Sequence, residues 1–90
     1  MMIRTELLII NKRGLHARAA AKLAGTASQF ASSIRLGSSS QMADGKNIMS
    51  VMMLAASQGT TLQVEISGDD ADAALAALTD LFARRFDEDE

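Results

Sequence analysis

The stretch "TLQVEISGDDADAALAALTDLF", residues 61–82, constrains the fold more than any other part of the chain. Its first third alternates strictly. Leu62, Val64 and Ile66 face one way and Thr61, Gln63 and Glu65 the other, the period-two pattern of a strand with one buried face. "GDDAD" then combines a turn with a helix start, placing acids where a helix dipole favours them. Ala71, Leu75, Leu78 and Phe82 follow on one helical face, with Arg84 and Arg85 near the helix C-terminus. A one-sided strand running into a one-sided helix requires a helical layer on one face of a sheet, the other face being left to water.

The remainder follows the same logic. Ile3 to Ile10 read as a strand, "NKRG" as a turn, and His16 to about Ser28 as a helix with Ala20, Leu23, Ala24 and Ala27 on one stripe. "SSIRLGSSSQMAD" predicts two short strands around a glycine-serine turn. Asn47 is suited to cap a second helix, in which Ile48, Val51, Met52 and Ala55 recur at helical spacing before Gly59 stops the run. The resulting order is β-α-β-β-α-β-α: an α+β open-faced sandwich forming a single domain over residues 1–90. A chain of this length buries roughly 60% of its unfolded surface around one modest core. The terminal "DEDE" is expected to be a frayed, solvated tail.

Composition excludes several kinds of chemistry. Cysteine is absent, so disulfides and thiolate reactions are ruled out, in keeping with a reducing cytoplasm. The net charge of −2 argues against broad nucleic-acid binding. No run approaches the ~20 apolar residues of a membrane span, and "MMIRTELLII" is a poor signal peptide because an acid interrupts it. One histidine, no cysteine and no acids at ligand spacing make a metal site improbable. "ADGKNIMS" lacks the first glycine and the hydroxyl residue of a phosphate-binding loop. Ser50 and the serines at 38–40 have no recognisable acid–histidine arrangement, and no cofactor signature is present.

What remains is "RGLHARAAAKLA" and its single histidine, His16. On pattern alone, a lone histidine at a helix start is as readily a half-exposed structural residue as a functional one. Three local features shift that balance. Gly14 permits a tight turn just before the helix. His16 falls at or near the N-cap although histidine is not a favoured cap, and such local inconsistencies tend to mark functional sites. The first-turn amides of Ala17 and Arg18 are unsatisfied donors, and the Arg18 guanidinium can grip an oxyanion with two hydrogen bonds. A nucleophile, an oxyanion cradle and a charge clamp describe a place for a phosphoryl group on histidine. One nucleophile without an evident substrate pocket suits a carrier better than an enzyme.

"GLHARAAAK" together with "DGKNIMSVMMLAASQG" resembles the HPr family, histidine phosphocarriers of the bacterial phosphoenolpyruvate-dependent phosphotransferase system, over essentially the whole chain. The resemblance implies four antiparallel strands under three helices. It further implies a phosphoryl group accepted on His16 from phosphorylated Enzyme I, passed to an enzyme IIA component and carried on Nδ1, with Arg18 assisting. Two positions depart from the family pattern: Ala19 stands where proline is usual, and Asn47 where Gram-positive members carry a serine phosphorylated by a kinase. The last helix looks more like proteobacterial members, including those of the nitrogen-related branch. Met52 fits a core stripe and Met49 fits either core or surface. Ile48, Met49 and Met52 form the candidate partner-binding surface, which the family uses for docking. A monomer with transient partners suits such a shuttle. The competing readings are a regulatory binding module that never carries phosphate, and a domain that only binds anions reversibly.

Overall fold

The computed structural model describes all of residues 1–90. Four strands, β1 (Met2–Leu8), β2 (Ser33–Ser38), β3 (Gln41–Asp44) and β4 (Thr61–Ser67), form one antiparallel sheet in the order β1-β4-β2-β3. Helices α1 (Ala17–Ala27), α2 (Ile48–Met52) and α3 (Ala71–Ala83) cover one face, and a short 3-10 turn, Arg85–Asp87, follows α3. Every pairing runs through β4 or β2. Met2 lies opposite Ser67, Ser33 also opposite Ser67, and Arg35 opposite Asp44.

Alternation sorts the two faces as expected. Leu62, Val64 and Ile66 of β4 and Ile34 and Leu36 of β2 are buried under the helices, where they meet Ala20, Leu23 and Ala27 of α1 and Ala71, Ala74 and Leu78 of α3. The opposite face carries charge across the strands: Glu65 sits within 3.8 Å of Arg4 and 3.9 Å of Arg35. Those pairs are largely exposed and contribute little to stability. The small alanines of α1 let the helix lie close on the sheet, and their burial is the main use of that stripe.

Three expectations need correcting. Gly37 lies inside β2, and the reversal is made by Ser39 and Ser40. There a Cβ on residue 37 would come within 2.1 Å of the Gln41 carbonyl oxygen, so close strand approach explains the glycine better than turn formation does. The second helix is only five residues long and ends at Met52: Met53 caps it while still right-handed, and the run is broken at Ala55, which turns left-handed at φ 51°. Ala55 is therefore exposed rather than the last member of a buried stripe. The third correction concerns the tail, which is solvated only in part: Asp87, Asp89 and Glu90 are exposed, but Glu88 is half-buried. Phe86 is buried at 1% exposure, 4.9 Å from the Phe82 ring centroid, and the residues after it fold back against α1.

Candidate functional site

The site is assembled from the loop before α1, the start of α1 and the chain that follows α3. Gly14 makes the entry turn with φ 67°, and a Cβ there would lie 2.5 Å from the Ala56 carbonyl oxygen. Only glycine meets both demands, the left-handed backbone and the close approach. That approach ties the turn to the loop after α2: the Leu15 amide donates to the same Ala56 oxygen at 2.9 Å. Asn11, fully buried, closes the turn from the other side by donating from Nδ2 to the Gly14 carbonyl at 2.8 Å.

His16 is the N-cap of α1, with extended backbone (φ −75°, ψ 179°), as expected from the sequence. Its carbonyl accepts from Ala20, but its side chain makes no capping bond. The amides of Ala17 and Arg18 consequently have no acceptor within the chain. Ala17 and Arg18 are both exposed, and Arg18 takes part in no ion pair. The imidazole is 18% exposed.

Sequence reasoning missed the partner of that imidazole. Glu88, 13% exposed, places Oε2 on His16 Nε2, while its Oε1 accepts from Asn11 Nδ2 at 2.9 Å. Burial pushes the Glu88 carboxyl up, but the hydrogen bonds from Asn11 and His16 and the charges of His16 and Arg13 outweigh it, leaving the group below its ordinary range. Asp87 bonds Lys22 Nζ at 3.0 Å and Arg84 Nε at 2.9 Å, and its carboxyl is held low, first by Arg84 and then by Lys22. Between the tail and α1 lies an open cleft of about 430 Å3, with Arg13, Arg18 and Lys22 on one side and the acids of the tail on the other. The one signal available beforehand was an aromatic residue, Phe86, set inside a charged run.

The candidate docking residues lie apart from this cleft on the short α2. Ile48 and Met49 are 42% and 65% exposed, and Met52 is half-buried against the core. Met53, which the sequence pattern did not single out, is exposed at 69%.

Fold and site together define a class: an α+β fold that presents a single imidazole beside an unsatisfied helix end, with no clustered metal ligands. Comparison with known proteins makes this specific. The family model described as the PTS HPr component phosphorylation site matches residues 3–84. Phosphocarrier protein HPr of Xylella fastidiosa is 50% identical over 88 residues, covering 98% of this chain and 99% of that protein. Phosphocarrier protein NPr of Shewanella violacea is 41% identical over 83 residues, with 92% and 91% covered. The solved structure of HPr-C-His from Thermoanaerobacter tengcongensis superposes with a TM-score of 0.91 at 39% identity, covering 98% of this chain and 99% of that one. The chain belongs to the HPr family, whose members are phosphocarriers rather than independent catalysts.

Proposed function

We propose that this protein is a phosphocarrier of the phosphotransferase system in which His16 accepts a phosphoryl group from phosphorylated Enzyme I and yields it to an enzyme IIA protein. The observation that carries the reading is the unused cap at His16: an imidazole at a helix N-terminus that leaves the Ala17 and Arg18 amides free. Those amides and the Arg18 guanidinium hold the phosphoryl oxygens, and Gly14 sets the turn that aims the ring. The exposed Ile48, Met49 and Met53, with the edge of Met52, serve as an adaptable apolar contact for successive partners. Contacts of this kind are small and quickly released, as a shuttle requires, and the protein works as a monomer in the cytoplasm. Asn47 occupies the position of the family's regulatory serine with a group that caps the helix and accepts no phosphate.

Intact-mass analysis after incubation with phosphoenolpyruvate, Mg2+ and an active Enzyme I tests the reading. Wild type is expected to gain one acid-labile phosphoryl group, and His16→Ala none. An unmodified wild-type protein would instead make this chain a binding module on the same fold.

A further inference from the structure

The C-terminal tail is built to deliver one carboxylate. After α3, three consecutive residues, Arg85, Phe86 and Asp87, adopt left-handed backbone with φ of 57°, 53° and 65°. This conformation is unfavourable for side-chain-bearing residues and persists only where the surroundings impose it. Here the buried Phe86 ring and the Lys22–Asp87 ion pair impose it, and the Glu90 carbonyl takes the Lys12 amide. The reversal brings Glu88 across to Asn11 and His16, 77 and 72 residues away in sequence.

Asn11 shows that the delivery is specific. It is fully buried, and it spends both hydrogens of its amide nitrogen on the Gly14 carbonyl and Glu88 Oε1, while its own Oδ1 is buried without a partner. A buried oxygen left unpaired is a cost, and it is borne in an orientation that grips one oxygen of Glu88 and turns the other toward the imidazole. An ionised carboxylate only accepts hydrogen bonds, so the His16 nitrogen it meets, Nε2, carries the proton. In the neutral ring this leaves Nδ1 with its lone pair free.

We infer that Glu88 is a positioning residue for phosphoryl transfer, holding His16 as the Nε2–H tautomer so that Nδ1 is the acceptor. The inference rests on His16 being the phosphorylated residue, as proposed above. The transfer then needs no proton to leave: the Nδ1 lone pair forms the new bond to phosphorus as the bond from phosphorus to the donor breaks, and the donor keeps that electron pair. The acceptor ring gains positive charge in this step, and the Glu88 carboxylate faces it.

The experiment is two-bond 1H–15N NMR on the His16 ring in the unphosphorylated full chain, at a pH where the ring signals show it neutral, alongside phosphorylation rates with Enzyme I, for wild type, Glu88→Ala and Glu88→Gln. Wild type should show Nε2–H alone, with a ring N–H resonance visible in water. Glu88→Ala should show both tautomers, lose that resonance to exchange and accept phosphate at least about tenfold more slowly, the usual scale for losing a ligand-orienting partner. Glu88→Gln, still able to accept from Nε2, should keep the wild-type tautomer and recover part of the rate. An Nδ1–H ring in wild type, or an alanine variant with unchanged ring shifts and rate, overturns the inference. Failure of wild type to be phosphorylated at all would sink the carrier reading instead, and the tautomer measurement would stand independently of it.

Discussion

Two helices of this protein start from extended residues, and they finish the job differently. At α2, Asn47 turns its Oδ1 onto the Ser50 amide at 3.0 Å, the ordinary way to satisfy a first-turn donor. At α1, His16 occupies the same position and caps nothing, leaving the amides of Ala17 and Arg18 without an acceptor in the chain. The longer helix thus has the poorer start: α1 runs for 11 residues and α2 for 5. The contrast locates function. A five-residue helix depends on its cap, because nucleating a turn is costly and few bonds repay it. An 11-residue helix packed on the sheet through Ala19, Ala20, Leu23, Ala24 and Ala27 can leave its end open. Packing energy on one face is what allows an unsatisfied end on another.

That comparison can be broken at several points. Arg18→Ala strips the charged clamp from the open end and should slow phosphorylation of His16 by roughly 100-fold, the lower end of the range seen when one oxyanion donor is lost. Because Arg18 is exposed, its thermal midpoint should scarcely move. Gly14→Ala is expected to act on stability as well as on the aim of the ring. A Cβ 2.5 Å from a backbone carbonyl, at φ 67°, should cost roughly 2–4 kcal/mol of folding stability, read as a lower urea midpoint.

Asn47→Ala should cost about 1 kcal/mol, the usual worth of a side-chain cap, and leave the phosphorylation rate of His16 within about twofold. An equal loss of rate would mean that the two helix starts are coupled through Ala56, which lies between α2 and the Gly14 turn.

The smallest effect concerns the third helix start. Asp70 is the N-cap of α3, but its carboxylate accepts from Ser32 Oγ and from the amides of Ala31 and Ser32 instead of capping. Those bonds, Ser32's hydroxyl first and the Ala31 amide next, hold its carboxyl below the ordinary 3.8. A group whose folded value is depressed contributes stability above its unfolded value and loses it as pH falls toward the folded one. Wild type should therefore lose stability below about pH 4 more steeply than Asp70→Asn. Urea midpoints across the acid range provide the check, and equal slopes would remove Asp70 from the account.

How much of this was visible in the sequence follows from how far each interaction reaches. The β4 alternation and the α1 stripe are local periodicities, and all of Leu62, Val64, Ile66, Ala20, Leu23, Ala24 and Ala27 are buried as expected. His16 and Gly14 were legible because a poor cap after a glycine is a local inconsistency. The end of α2 was not: Ile48, Val51, Met52 and Ala55 continue a helical spacing through residues whose backbone the fold bends away at Ala55. The tail was least legible of all. Four acids in a row suit solvent, and nothing local announces that Phe86 packs on Phe82 or that Glu88 meets residues at the opposite end of the chain. Its position depends on a surface that exists only once the protein has folded.

The place of β1 in the sheet has a consequence in time. It precedes the other three strands of the sheet in the chain, it sits at the edge of the sheet, and its sole partner, β4, is the one that follows them all. At ~5–20 residues per second, Ile3 and Leu7 wait roughly 3–12 s for the residues that will lie opposite them. Until then β2 and β3 can form a hairpin, but β1 has no strand to join. The sheet closes only once β4 has been made, and until then the nascent chain must keep β1 out of other pairings.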